Sequence, residues 1–320
     1  MKFTSTLLST VLLTSFALAA PSSRSGLAGR LQRRGRTLQG STLRSKESKN
    51  SKTTFNAATG NTSAVQYSEN WSGAAITSPP TGQTFNAVSG KITVPTPSAP
   101  SGVASTDGDY AASAWVGIDG NTYSTAILQT GLDFTVSTSG AVSYSAWYEW
   151  YPDYAMDFDL TISAGDVISM YVNATTTTSG SATIENLTTG KTVTKSLTST
   201  SALGGENAEW IVEDFEEGNS LIAFADFGNV TFTDCVAATA ESSEGVSTAT
   251  IMDIENTSNQ VLTDKNLISD SSFQVSYTSI LEQAMEAGGE GEGEVGKGTR
   301  VENEAVLQQL ILVSSGGGRC

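Results

Sequence analysis

Residues 207–218 read N-A-E-W-I-V-E-D-F-E-E-G and set five carboxylates (Glu209, Glu213, Asp214, Glu216, Glu217) among Ala208, Trp210, Ile211, Val212 and Phe215. Acids crowded beside bulky apolar side chains repel one another and lose hydration, so the most buried of them is pushed above the usual carboxylate range. A carboxyl raised in that way suits general acid/base work in acid. An acidic surface helix also fits, since Ala208, Ile211, Val212 and Phe215 follow the i, i+3, i+4, i+7 template. Against a helix, Glu216 and Glu217 would crowd the negative end of its dipole, and Gly204, Gly205 and Gly218 leave room for a short element only. A strand is favoured, with Glu209, Glu213 and Glu217 on one face.

Three other stretches carry chemistry-bearing residues. Residues 114–120 (A-W-V-G-I-D-G) and 127–131 (I-L-Q-T-G) place Gln129 after two apolar residues and before Thr-Gly, which predicts an amide at a strand end. A lone glutamine is structural far more often than catalytic. In 145–152 (S-A-W-Y-E-W-Y-P), Trp147, Glu149 and Tyr151 share a strand face, either as the wall of a polymer-binding groove or as packing. Residues 69–73 (E-N-W-S-G) put Trp71 near the start of the body, where it lines a cleft or anchors the first strand. Two constructions follow. In one, Glu213 takes a proton from water and the Gln129 amide donates to the oxyanion that water attack creates. In the other, Glu149 and Glu213 flank a glycosidic bond. The residues alone leave both open, together with a non-catalytic carbohydrate-binding module.

Composition narrows the chemistry. The 320 residues contain no histidine, which excludes Ser-His-Asp and Cys-His catalysis and His-ligated metal or haem. The two cysteines, Cys235 and Cys320, are too few for a disulfide framework or a cysteine-rich metal site. No cofactor is expected.

The elements that must position these residues are strands. Runs rich in Val, Thr, Ile, Tyr and Phe at 85–94, 113–118, 125–129, 142–150, 167–174, 181–186, 192–197, 220–227, 229–236 and 248–255 alternate with Gly/Ser/Pro/Asp turns. Ten or more strands without helical interludes predict one all-β sandwich over 55–278. Ahead of it, residues 1–20 carry Lys2, an apolar run and small residues at Ala19 and Ala20, the pattern of a secretory signal peptide. No later stretch is long and apolar enough to suggest a membrane span. Six N-x-Ser/Thr sequons begin at Asn61, Asn70, Asn173, Asn186, Asn229 and Asn256 and suit an extracellular protein.

Charge is segregated. Residues 21–54 hold nine basic residues and one acid, a net +8, whereas 55–278 hold four lysines and 25 acids, a net −21. Such a basic arm suggests nucleic-acid binding in isolation, but ahead of an acidic secreted body a pro-segment held as an intramolecular inhibitor fits better. Repulsion among the body's acids is expected to raise many of their pKa values and to make the body most stable in acid. Residues 279–320 turn to Gly/Glu low complexity and are expected to be disordered.

The order W-V-G-I-D-G, A-I-L-Q-T-G, A-W-Y-E-W-Y-P and A-E-W-I-V-E-D-F-E-E, over about 67–277, resembles the fungal glutamic peptidases (eqolisins). The resemblance implies a sandwich of two antiparallel sheets, of the concanavalin A-like or jelly-roll type, in a monomeric secreted acid endopeptidase insensitive to pepstatin-type inhibitors. It implies Gln129 and Glu213 as the catalytic pair on polypeptide substrates, supported by Trp71, Trp115, Asp119, Asp133, Trp147, Glu149 and Glu216. Ser145 stands where relatives often have Asp.

Overall fold

The computed structural model describes residues 43–47, 53–56, 61–104, 108–217 and 220–279, with backbone alone at 53–56, 61–64, 216–217 and 220. The signal peptide expected over 1–20, most of the segment 21–54 and the tail beyond Ser279 lie outside the described residues.

Thirteen strands build the body. In chain order they are β1 (Trp71–Ile76), β2 (Ala87–Thr93), β3 (Asp109–Ile118), β4 (Ile127–Ser137), β5 (Val142–Tyr151), β6 (Val167–Thr176) and β7 (Ser179–Asn186). There follow β8 (Lys191–Thr198), β9 (Ala208–Glu213), β10 (Asn229–Ala238), β11 (Thr250–Ile254), β12 (Thr263–Ser269) and β13 (Ser272–Tyr277). One sheet is ordered β11-β1-β9-β3-β4-β5, extended beyond β11 by Gln66–Ser68 and Ser45–Lys46 and beyond β5 by Met156–Asp157. The other is ordered β8-β7-β6-β2-β10-β13-β12. Pairing is antiparallel apart from Gln66–Ser68 on β11 and Ala223–Phe224 on β3. This is the expected all-β sandwich of two antiparallel sheets.

The two sheets are covered differently, and their sequences say so. In β7, buried and half-buried positions alternate, the period-2 pattern of a strand with one face toward water. All six residues of β9 are buried. Its even members Ala208, Trp210 and Val212 enter the core between the sheets, beside Ala114, Val116 and Leu128 of the same sheet and Val88, Ile168 and Met170 of the other. Its odd members face outward, where Ile211 joins a separate apolar cluster of Trp71, Ala75, Trp115, Ile127, Trp147 and Met252. The first sheet is therefore apolar on both faces, and polar groups on its outer face are buried among tryptophans. Trp210 ties the sheets together: its Nε1–H donates to the Ser89 carbonyl at 2.7 Å, and its ring lies where a Cβ on Gly90 would collide. At the sandwich edge the Lys265 ammonium and Asp253 carboxylate form a buried ion pair, with Thr263 Oγ1 donating to Asp253 at 3.1 Å.

Several boundaries differ from expectation. The run at 125–129 starts β4, an eleven-residue strand that passes straight through Thr130-Gly131. Gly131 is no turn. It lies directly opposite Trp115, and a Cβ there would stand 2.4 Å from the Trp115 Cβ, so close strand approach is what requires glycine. Gln129 thus sits within a strand rather than at its end. The run at 220–227 is broken into Ser220–Leu221 and Ala223–Phe224. Two of the six sequons have their amides inside the fold: Asn70 accepts hydrogen bonds from Arg44 N and Ser68 Oγ, and Asn186 donates to Asp166. Both are fully buried, whereas Asn229 is exposed.

Candidate active site

The outer face of the first sheet is read as three rows set by strand register. The first runs Ala75, Glu209, Gly117, Gln129, Glu149 across β1, β9, β3, β4 and β5. The second runs Gly73, Ile211, Trp115, Gly131, Trp147. The third runs Trp71, Glu213, Ser113, Asp133, Ser145. Because side chains of residues two apart share a face, all of these point to the same side. Gln129 and Glu213 stand on strands flanking β3 and two rows apart, so their Cα atoms are roughly 16 Å from one another by strand geometry. Trp115 occupies the position between them.

A hydrogen bond from a neighbouring side chain orients Glu213, and one to a neighbouring side chain orients Gln129. Trp115 Nε1–H donates to Glu213 Oε2 at 2.8 Å, in a site where Glu213 is only 2% exposed. Gln129 Nε2 donates to Glu149 Oε2 at 2.9 Å, and both residues are buried. That bond fixes which way the amide faces: one N–H goes to Glu149, while the second N–H and Oε1 remain for a substrate or a water. Trp71 packs edge-on against Trp115, with ring centroids 4.9 Å apart at 77°. Trp147 Nε1 donates to Ser113 Oγ at 3.3 Å, and that hydroxyl in turn donates to the Leu132 carbonyl. The tryptophans therefore wall the site and hold its polar groups in fixed rotamers.

The remaining expected residues are placed less uniformly. Asp133 shares the third row with Glu213, one strand beyond Ser113, and is directly opposite Ser145. An aspartate at 145 would set two carboxylates side by side on adjacent strands, an unfavourable pairing that Ser145 avoids. Asp119 lies just past the end of β3 with a left-handed backbone (φ 67°). Its carboxylate accepts from four backbone N–H groups: those of Gly204 and Gly205 at 2.8 and 2.9 Å, Glu206 at 2.8 Å and Asn207 at 3.2 Å. The Asn207 side chain answers from the other loop, its Oδ1 accepting from the N–H groups of Asn121, Thr122 and Tyr123. Asp119 and Asn207 thus clasp two loops at the rim and do not enter the rows. Burial raises the Asp119 carboxyl above its ordinary value, and the four N–H donors hold that rise back. Glu216 lies beyond β9 on a separate hairpin of Glu216–Glu217 with Ser220–Leu221, so Glu217 does not continue the face shared by Glu209 and Glu213.

Two contributors were given no site role from sequence. Gly117 sits between Glu209 and Gln129, and a Cβ there would come within 2.9 Å of Trp115 Cζ3 and 3.3 Å of Gln129 Cβ. A glycine inside a strand is the signal that could have found it. Gly117→Ala would displace the ring that holds Glu213. The expected outcome is a drop in kcat with a stability loss of about 1–3 kcal/mol, checked by steady-state kinetics beside denaturant unfolding. An unchanged kcat would show that the ring's position does not matter. The second is Glu209, fully buried in the first row, with neither carboxylate oxygen hydrogen-bonded among the described residues. Burial holds its carboxyl well above the ordinary value, and the charge of Asp119 adds to the rise.

The chain is similar over its body to known peptidases. Residues 69–277 match the Peptidase A4 family. Aspergillopepsin-2 of Aspergillus niger is 51% identical over 226 residues, covering 66% of this chain and 78% of that protein. Scytalidopepsin B of Scytalidium lignicola is 49% identical over 176 residues, 52% of this chain and 62% of that protein's length. Among solved structures, scytalido-glutamic peptidase with a transition state analog inhibitor superposes with a TM-score of 0.57 at 43% identity, covering 66% of this chain and 98% of that one. Aspergilloglutamic peptidase from Aspergillus niger gives 0.50 at 57% identity, over 53% of this chain and 99% of that one. The family match spans most of the chain and the whole of the outer face described above, and the chain belongs to the Peptidase A4 family.

Proposed function

We propose that this peptidase is a secreted endopeptidase of acidic pH that cleaves polypeptides with Glu213, Gln129 and one water. The observation that carries the reading is the shared outer face on which Trp115 orients Glu213 and Glu149 orients Gln129. In the first step the Glu213 carboxylate takes a proton from the water as its oxygen bonds to the scissile carbonyl carbon. The Gln129 Oε1 accepts a hydrogen bond from the water's other O–H, which stays on the attacking oxygen, and the second N–H of Gln129 donates to the developing oxyanion. Protonated Glu213 then gives its proton to the amide nitrogen, the C–N bond breaks, and a carboxylic acid and an amine leave. Trp71, Trp115 and Trp147 exclude water around the pair, which strengthens each of these hydrogen bonds.

The segment 21–54 acts in this reading as an inhibitor, and its described part supports that role. Leu43 packs against the apolar cluster that walls the site, and Leu43 N donates to the Gly120 carbonyl at 3.2 Å. Glu149 as the second carboxylate of a glycosidase fits less well, because its Oε2 already serves Gln129.

The test is hydrolysis of a denatured protein at about pH 3–4 against a soluble β-glucan. Peptide release without glucan release is expected, undiminished by chelators, serine-directed acylating agents or thiol alkylators. Cys235 is no target for the last of these, since it is buried and burial pushes its thiol up. Inhibition by a chelator, or sugar release, would overturn the assignment.

A further inference from the structure

The described part of the N-terminal segment is bound as an extended peptide. Leu43 N reaches the Gly120 carbonyl, and Arg44 N donates to Asn70 Oδ1 at 2.9 Å. The Arg44 carbonyl accepts from Glu69 N at 2.9 Å, and Ser45–Lys46 pairs antiparallel with Gln66–Ser68 as the last strand of the first sheet. These bonds use main-chain groups on the peptide side, which any extended polypeptide supplies. Two side chains are read. Leu43 lies on the apolar cluster beside Trp71. Lys46 places its ammonium 3.2 Å from Glu255 Oε1, on a carboxylate that is itself fully buried, and also donates to the Asn256 carbonyl.

That last contact is unusual for a segment read as a removable inhibitor. Burying a carboxylate is costly without a cation and further hydrogen bonds. The body has four lysines and no arginine, and here the cation comes from outside it. Glu255 is not needed to close the sheet, since its backbone N–H already bonds Ser68 O. Its side chain is placed to meet a positive charge that arrives on an added strand. The slot also leads directly from the cluster around Trp71, whose register neighbour is Glu213.

We propose that Asn70, the Gln66–Ser68 edge and Glu255 form a lysine-reading subsite for extended polypeptides. The chain's own segment fills it first, and substrates with an aliphatic residue three positions before a lysine fill it afterwards. The proposal rests on the peptidase reading and deepens it by naming a substrate preference: main-chain bonds give general grip, and Glu255 gives selectivity for a cation.

The experiment uses the full chain after acid has let it process itself. The first arm adds a peptide of sequence 40–50, or the same peptide carrying Lys46→Met, and reads inhibition together with tryptophan fluorescence. The second arm compares two substrates that differ only in Lys or Met three residues after a leucine. The expected result is about tenfold weaker binding of the methionine peptide and an about tenfold higher KM for the methionine substrate. With Glu255→Gln, both ratios fall to near one. Equal binding of the two peptides, or discrimination that survives Glu255→Gln, would overturn the subsite. Discrimination by the inhibitor peptides alone would overturn its use by substrates. Should Glu255→Gln fail to fold, the peptide and substrate pairs still decide on the unaltered enzyme. Fluorescence with the Glu213→Gln chain, its own segment first cut away by added parent enzyme, needs no turnover by the variant, so failure of the peptidase reading is told apart from failure of the slot.

Discussion

Glu213→Gln and Gln129→Ala are each expected to lower kcat on a peptide substrate by at least about a hundredfold, the scale of losing a single oxyanion donor. Glutamine at 213 keeps the shape of the side chain but can no longer take a proton from water. Alanine at 129 removes the N–H donor and the Oε1 acceptor together. Glu149→Gln falls between these variants and the parent, since Glu149 acts through Gln129: an amide facing an amide at 2.9 Å no longer dictates which atom of Gln129 faces the cleft. The measurements are kcat and KM at acidic pH, with near-UV circular dichroism to establish that each variant is folded. A folded Glu213→Gln protein with parental kcat would remove the pair from the mechanism. A Glu149→Gln loss as deep as that of Glu213→Gln would revive two-carboxylate chemistry.

The second large effect is on stability against pH, and it centres on Glu209. The ordinary value for this carboxyl is 4.5, and burial holds it well above that in the fold. The folded protein therefore keeps this proton to higher pH than the unfolded chain does. The contribution is fully present below about pH 4.5 and is lost as pH rises through the folded value. Asp119 acts in the same direction from its ordinary 3.8, restrained by its four N–H donors. Each group can steepen the decline by at most about 1.4 kcal/mol per pH unit. In Glu209→Gln nothing titrates at this position. Stability between about pH 5 and pH 7 should fall less steeply than in the parent, while at pH 4 the variant gains nothing and loses whatever an unsatisfied buried amide costs. Urea unfolding at several pH values reads the slope directly, and parallel slopes in parent and variant would exclude Glu209. For both groups burial is the leading cause. An acid preference is therefore predicted to arise locally at these two carboxyls, with Asp119 adding its charge to Glu209.

How much of this was legible follows from which interactions are local in sequence. The alternation in 208–213 announced a strand with Glu209 and Glu213 together, and the spacing of Trp147, Glu149 and Tyr151 announced another. Neither could show that Glu209 and Gln129 share a row, because that depends on register through Gly117, which comes from a third segment. Gln129 before Thr130-Gly131 read as a strand end, since sequence does not reveal the tryptophan facing Gly131. β12 was missed for a different reason. Its inward positions are Thr263, Lys265 and Leu267, and a lysine at an inward position hides the period-2 signal until Asp253 is seen to neutralise it. Asp119 stood in a motif that pointed toward the cleft, but its carboxylate is occupied with backbone amides of a loop some 85 residues further along the chain. The docking of Leu43 to Lys46 has no periodicity to read at all.

The proposed catalytic groups stand on β9, β3, β4 and β5, four neighbouring strands in the interior of one sheet, and neither member of the proposed pair is on a loop. Loops can open by themselves at little free-energy cost, whereas interior strands separate only when the whole domain does. Activity here should therefore have no private melting transition: as denaturant rises, turnover and the slowest-exchanging backbone amides of β3, β4 and β9 should disappear together. Such an enzyme has little means of being tuned by local fluctuation. What would limit its working life in acid is the rate at which the entire sandwich opens.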